Sequence, residues 1–329
     1  MRVFQKLGWD LEGSAAFRWI EINEDCYHDP DYLFLNKSLD LTFNRDLGRR
    51  CMVCGDKADA YSKLHEPYCS RHASKVCLCI RDGVSRHSCT TSHHLCEKPW
   101  MIKGPQYIPY LAVGNINHNI KIGVTSSRRT KIRATEQGAT AMLPLIHKDD
   151  YAFNLKEAQR IEELVSGVAF GFKYLSFSSG KKDYVAQNYL PHPIYDPIPF
   201  FLADADAARK RLIDTFPKIK AKCLSLVKQK VGVNSEDYQL IDNLECEEVI
   251  LPTFVDLIDT ELLSKINKLK IEKGDIRNGI FGSLIATKGQ LILVKRNGKF
   301  SCYQMKEARG FVEGSVSQVR ISAFLHGDG

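Results

Sequence analysis

The chain has 329 residues, 44% hydrophobic and 26% charged, with 22 Gly and 12 Pro, which excludes disordered and fibrous classes and predicts a globular protein of several domains. Lys and Arg outnumber Asp and Glu by 46 to 39, a formal charge of +7 that weakly favours a polyanionic partner. No run reaches the roughly 20 apolar residues of a membrane-spanning helix, and Asp10 and Glu12 fall where a signal peptide would have its apolar core. The expectation is a soluble, cytoplasmic protein with no membrane partner.

Residues 1–50 alternate in short β-prone pieces, Arg2–Gln5, Phe17–Ile22 and Leu39–Phe43, and predict an N-terminal β segment. Residues 51–105 then hold seven of the 11 cysteines, in the order Cys51-x2-Cys54, Cys69-x2-His72, Cys77-x-Cys79, Cys89 and Cys96. Without an export signal, thiols at this density argue for metal rather than disulfides. A two-residue gap lets one tight turn point two ligands at a cation, and a second turn completes the tetrahedron that zinc prefers. Cys51, Cys54, Cys69 and His72 could form one closed structural zinc site. Cys77 or Cys79, with Cys89, Cys96 and one of His87, His93 or His94, could form another; the one-residue gap favours Cys79 over Cys77. The alternative is a set of reduced, partly buried thiols without metal. Cys26, Cys223, Cys246 and Cys302 lie apart and read as ordinary reduced thiols.

From 106 to 190 the pattern predicts a β-β-α-β-α unit: strands Tyr107–Val113 and Ile120–Thr125, a helix Ser127–Gln137, a strand Ala141–Ile146 and a helix Asn154–Val168. Asn154 and Glu157 have the spacing of a capping box. On this second helix Glu162 shares a stripe with Leu155, Ala158 and Val165, while Lys156, Arg160 and Glu163 lie on the polar side. A carboxylate on an apolar stripe needs a partner, either an arginine such as Arg133 or a divalent cation. From Lys98 to Thr135 there is no acid, yet Lys98, Lys103, Lys121, Arg128, Arg129, Lys131 and Arg133 are present. Such a stretch is suited to phosphates.

Residues 171–202, rich in Gly, Ser, Tyr and Pro, predict a long loop, and 191–245 a basic helical connector. The run Arg209–Lys230 holds eight cations against Asp214 and reads as helical, broken or restarted at Pro217; it is either a solvated face or a nucleic-acid contact. Residues 246–329 predict a C-terminal β-rich domain, with strands Ile280–Ala286, Gln290–Lys295 and Phe300–Gln304 separated by Lys288-Gly289 and Asn297-Gly298. The expected fold class is α+β, a zinc-knuckle module at 51–105 and a core at 106–190 flanked by β-rich elements.

Tyr110-Leu111-Ala112 on the first core strand and Lys121-Ile122-Gly123-Val124-Thr125 on the second resemble the GIY-YIG nuclease family. Tyr110 and Lys121 have the separation of that family's two motif tyrosines, with lysine in place of the second. Arg133, with Gln137 one turn on, matches the family's helical arginine, and Glu162 its glutamate; Asp183 is the nearest match to its closing asparagine. The resemblance implies phosphodiester cleavage, in which a tyrosine helps to activate water, the arginine stabilises the phosphate and the glutamate holds one Mg²⁺.

A second resemblance, over nearly the whole chain, is to a bacterial and archaeal family of unknown function. It rests on Leu41-Thr42-Phe43, Cys51-Met-Val-Cys54-Gly55, Cys89 to Cys96 followed by Lys98-Pro99-Trp100, Lys121–Thr125, Arg133–Ala139 and Lys288–Leu293. These readings leave a Mg²⁺-dependent nuclease, a non-catalytic DNA- or RNA-binding protein and a protein-interaction adaptor open. Tyr110, Lys121, Arg133, Gln137 and Glu162 form the candidate catalytic set. Lys103, Arg128, Arg129 and Lys131 are the candidate nucleic-acid contacts.

Overall fold

The computed structural model describes residues 2–10, 12–21, 31–51, 54–61, 67–73, 107–114, 120–149, 151–169, 197–252, 254, 257–266 and 271–314. The N-terminal part runs β1 (Arg2–Trp9), β2 (Ala15–Glu21), β3 (Asp31–Tyr32), β4 (Ser38–Leu41), β5 (Phe43–Arg49), β6 (Ala60–Tyr61), β7 (Pro67–Tyr68) and a helical turn, α1 (Ser70–Ala73). The middle part runs β8 (Tyr107–Val113), β9 (Lys121–Ser126), α2 (Thr130–Glu136), β10 (Ala141–His147) and α3 (Leu155–Ala169). There follow α4 (Pro197–Phe201), α5 (Ala205–Val231), α6 (Glu236–Asp242), β11 (Leu244–Cys246) and α7 (Thr260–Ile266). The last described elements are β12 (Ile271–Lys273), β13 (Ile280–Lys288), β14 (Leu291–Arg296), β15 (Lys299–Gln304) and β16 (Phe311–Glu313). The fold is mixed α+β, and no described helix is long and apolar enough to cross a membrane. Two units divide the chain: residues 1–89, 193–202 and 253–329 form the first, and 90–192 with 203–252 the second.

The first unit contains two five-stranded sheets, ordered β3-β2-β1-β16-β5 and β12-β15-β14-β13-β4. Both mix early and late segments, with Val3 opposite Val312 and Leu39 opposite Gly282. Strand period fixes what each face buries. Phe4, Leu7 and Phe17 of the first sheet meet Leu284, Ile292 and Val294 of the second in one core. Their neighbours Ile285, Leu291 and Leu293 point the other way, onto Phe200 and Phe201 of α4 and Leu263 of α7. Burial on both faces explains why β14 begins with four consecutive apolar residues rather than an alternating pattern.

The turn Lys288-Gly289-Gln290 ties this unit together. Trp9 Nε1 donates to the Gly289 carbonyl at 2.8 Å, Gln290 Nε2 to the Leu7 carbonyl at 2.9 Å and Lys288 Nζ to the Phe200 carbonyl at 2.7 Å. Lys288 is 2% exposed, with its ammonium 4.8 Å from the Phe200 ring centroid and 5.5 Å from that of Phe254. Burial pulls its pKa from 10.5 down to about 7.

The second unit is built on the antiparallel sheet β11-β10-β8-β9. Its central strand, β8, is buried throughout because both faces are covered. Leu111 and Val113 join Ile161, Leu164 and Val165 of α3 and Leu212, Phe216 and Ile219 of α5. Tyr110 and Ala112 face Ala134 of α2. The β8–β10 ladder stops where Tyr110 meets Pro144, one residue from Pro109, and Tyr107 pairs with Phe153 instead. A proline has no N–H to extend such a ladder.

The helix α3 starts as the capping box predicts: the Asn154 N–H donates to Glu157 at 3.0 Å and the Glu157 N–H to Asn154 at 3.0 Å. Two expectations are corrected. The break at Pro217 does not occur; α5 is one helix of 27 residues, capped by Asp204. The carbonyl that Pro217 leaves without an N–H belongs to Ile213, which is exposed to water, while the buried stripe Leu212, Phe216, Ile219, Cys223 and Val227 stays packed on either side. The loop expected over 171–202 ends in a helical turn, α4, opened by Pro197, whose fixed φ suits a first helical position. Residues 170–196, including Asp183, lie outside the described residues.

Candidate functional site

Two groupings bring predicted residues together, one in each unit. In the first, β5 leads into the turn that carries Cys51 and Cys54, and the hairpin β6–β7 delivers Cys69 and, on α1, His72. The Gly55 N–H donates to the Cys51 carbonyl at 2.9 Å, and the Cys51 N–H to the Asp56 carbonyl at 2.7 Å. Closing so tight a turn requires φ of 75° at Gly55, a conformation that disfavours side chains. The four ligand atoms all lie within 4.8 Å of one another. Cys69 Sγ is 3.2 Å and Cys51 Sγ 3.7 Å from His72 Nδ1, and the Cys54 and Cys69 sulfurs are 3.7 Å apart.

That last separation is too long for a disulfide. It matches the edge of about 3.8 Å that Zn–S bonds of about 2.3 Å give a tetrahedron. The cluster can therefore hold a metal ion such as zinc, with the four ligands that a tetrahedral site uses. Three thiolates around Zn²⁺ would carry one net negative charge. Arg71 stands beside it, 3.1 Å from Asp56, whose carboxylate also lies 3.3 Å from Cys54 Sγ. Cys77, Cys79, Cys89 and Cys96 lie outside the described residues, as do His87, His93, His94 and Lys103. Of the scattered thiols, Cys223 and Cys302 are buried and pushed up to about 12 by that burial, which keeps them protonated.

In the second unit, Tyr110 on β8 stands opposite Gly123 on β9. A Cβ at residue 123 would come within 2.5 Å of the Tyr110 hydroxyl, so glycine lets the phenol cross the edge strand. The Arg133 guanidinium interacts electrostatically with this phenol. Burial raises the Tyr110 pKa; Arg133 opposes the shift, while Glu162 and Glu136 add to it. Tyr110 is therefore a neutral phenol at neutral pH, with a cation beside it.

Lys121 is exposed on β9, and its ammonium contacts Gln137 Oε1 at the end of α2. Glu162 is half-buried at the margin of the packed face of α3, beside the fully buried Ile161. On the polar side Arg160 binds Asp237 of α6 at 2.8 and 2.6 Å and Glu163 at 2.6 Å. Tyr110, Lys121, Arg133, Gln137 and Glu162 thus come from β8, β9, α2, the turn after it and α3.

Arg128 and Lys131 are exposed. Arg129 turns back to Glu136, its Nη2 lying 3.0 and 3.2 Å from the two carboxylate oxygens, and Arg133 Nη1 reaches the same group at 3.3 Å. Glu136 falls one residue beyond the acid-free stretch, so the charge pattern does not single it out. Its spacing carries a signal, three residues after Arg133 and so on the same side of α2.

Residues 36–168 match a known family. It is described as protein of unknown function (DUF2797). The DUF2797 stretch contains the Cys51, Cys54, Cys69 and His72 cluster together with Tyr110, Lys121, Arg133, Glu136 and Glu162, and it ends before α5. No curated protein and no solved structure matches the chain.

Proposed function

We propose that this chain is a zinc-containing nucleic-acid-binding protein whose β8-β9-α2-β10-α3 unit is a divergent GIY-YIG-like core that cleaves phosphodiester bonds with the help of Mg²⁺. The observation that carries this reading is the grouping of Tyr110 with the Arg133 guanidinium, in the field of Glu162. In this reading Arg133 donates N–H groups to a phosphate oxygen, where charge grows in the transition state. Tyr110, a neutral phenol, orients the attacking water. Lys121, steadied by Gln137, adds positive charge in place of a second phenol.

Glu162 is the residue that would hold Mg²⁺, an ion that keeps several waters and needs only one or two carboxylates from a protein. When bound, Mg²⁺ polarises a phosphate oxygen as a Lewis acid. The exposed Arg128 and Lys131, with Lys103, supply sequence-independent contacts to the backbone of DNA or RNA. The Cys51, Cys54, Cys69 and His72 site is structural.

Incubation with labelled single- and double-stranded DNA and RNA in Mg²⁺ or Mn²⁺ tests the proposal. Cleavage should be lost in Glu162→Ala and Arg133→Ala. Equal activity in wild type and both variants ends the nuclease assignment. Salt-sensitive binding without cleavage leaves a non-catalytic binder, and absence of binding leaves the adaptor.

A further inference from the structure

Glu136 has no role in the reading above, yet its surroundings single it out. Its side chain is only 11% exposed, and guanidinium groups from both Arg129 and Arg133 converge on its carboxylate. It closes α2, at the negative end of the helix dipole. Its own helix therefore does not favour the carboxylate, and the two guanidinium groups offset that unfavourable field. Arg133 is in turn the cation that faces Tyr110. Among the described residues, the charged groups acting on that phenol are Arg133 and Glu136 from α2 and Glu162 from α3, while its partners across the sheet, Gly123 and Pro144, carry no charge.

We propose that Glu136 is a positioning residue, which anchors Arg133 so that the guanidinium presents its remaining N–H groups to the Tyr110 hydroxyl and to an anion bound beside it. The proposal rests on the functional reading of Tyr110 and Arg133, but its test needs no substrate and survives failure of the cleavage assay. Charge and anchoring act on Tyr110 in opposite directions. Removing the negative charge while keeping a hydrogen-bond acceptor, as in Glu136→Gln, eases ionisation of the phenol. Removing the anchor, as in Glu136→Ala, lets Arg133 swing away and makes ionisation harder.

The experiment follows the ¹³Cζ signal of Tyr110 in tyrosine-labelled protein from about pH 8 upward. Tyr110→Phe assigns the signal, and the rest of the spectrum reports whether each variant is folded. Relative to wild type, the titration midpoint should fall in Glu136→Gln and rise in Glu136→Ala, each by about half a pH unit or more. In an Arg133→Ala background the Glu136→Ala rise should vanish. A midpoint that falls or stays put in Glu136→Ala, or a rise that persists without Arg133, overturns the proposal. Glu136→Gln retains the acceptor and supplies a usable comparison if Glu136→Ala does not fold.

Discussion

Replacing Lys288 with Met should flatten a steep pH dependence in the stability of the first unit. A lysine in the unfolded chain titrates near 10.5, whereas burial brings folded Lys288 down to about 7. Between those values the unfolded chain holds a proton that the folded chain lacks, so stability rises with pH by about 1.4 kcal/mol per pH unit. Below pH 7 both states are protonated and the penalty reaches its full value of about 4–5 kcal/mol. The rings of Phe200 and Phe254 and the Phe200 carbonyl favour the ammonium, which makes this figure an upper bound.

Methionine has similar length and no charge, but it leaves the Phe200 carbonyl without its donor, at a cost of about 1–2 kcal/mol. At pH 7 Lys288→Met should therefore be about 2–3 kcal/mol more stable than wild type, an advantage that shrinks and then reverses as the pH approaches 10. Urea unfolding in a Trp100→Phe background, followed by the fluorescence of Trp9 and Trp19, reads this unit. Other titrating groups cancel in the difference between the two proteins. Parallel stability curves for wild type and variant from pH 7.5 to 9.5 would refute the view that burial discharges Lys288.

Two further outcomes are expected. Protein purified without chelator should carry at least about one equivalent of zinc per chain by elemental analysis, lost together with several kcal/mol of stability in Cys54→Ala and Cys69→Ala; less than one equivalent in wild type contradicts the zinc site. Gly123→Ala should displace the Tyr110 phenol, costing about 1–3 kcal/mol by thermal denaturation and abolishing cleavage. Full activity in that variant would show that the close approach to Tyr110 does not matter.

Local features of the fold are legible in the residues themselves. The run Tyr107–Val113 is apolar enough for a strand covered on both faces, and Asn154 with Glu157 announces the start of α3. The turn pair Asn297-Gly298, both at positive φ, separates β14 from β15 as expected. The site is legible where chemistry and spacing coincide, as at Cys51, Cys54, Cys69 and His72. Other features depend on tertiary context. Pro217 reads as a break until its exposed position and the stripe around it are known. Lys288 reads as a polar turn residue, although Phe200 and Phe254 enclose it. Glu136 escapes because its importance comes from Arg129 and Arg133 folding back onto it.

The position of β16 in the first sheet has a consequence for synthesis. Phe311–Glu313 lies between β1 and β5, and the backbone N–H of Arg50, beside the Cys51 turn, donates to the Gly310 carbonyl at 2.7 Å. On the ribosome, Arg2–Trp9 and Phe43–Arg49 emerge long before the strand that joins them. The N-terminal strands and the cysteine turn thus wait with open edges, exposed to mispairing and oxidation, until the tail of the described chain arrives to seat them. Metal captured early by Cys51, Cys54, Cys69 and His72 would hold that end of the sheet together during the wait.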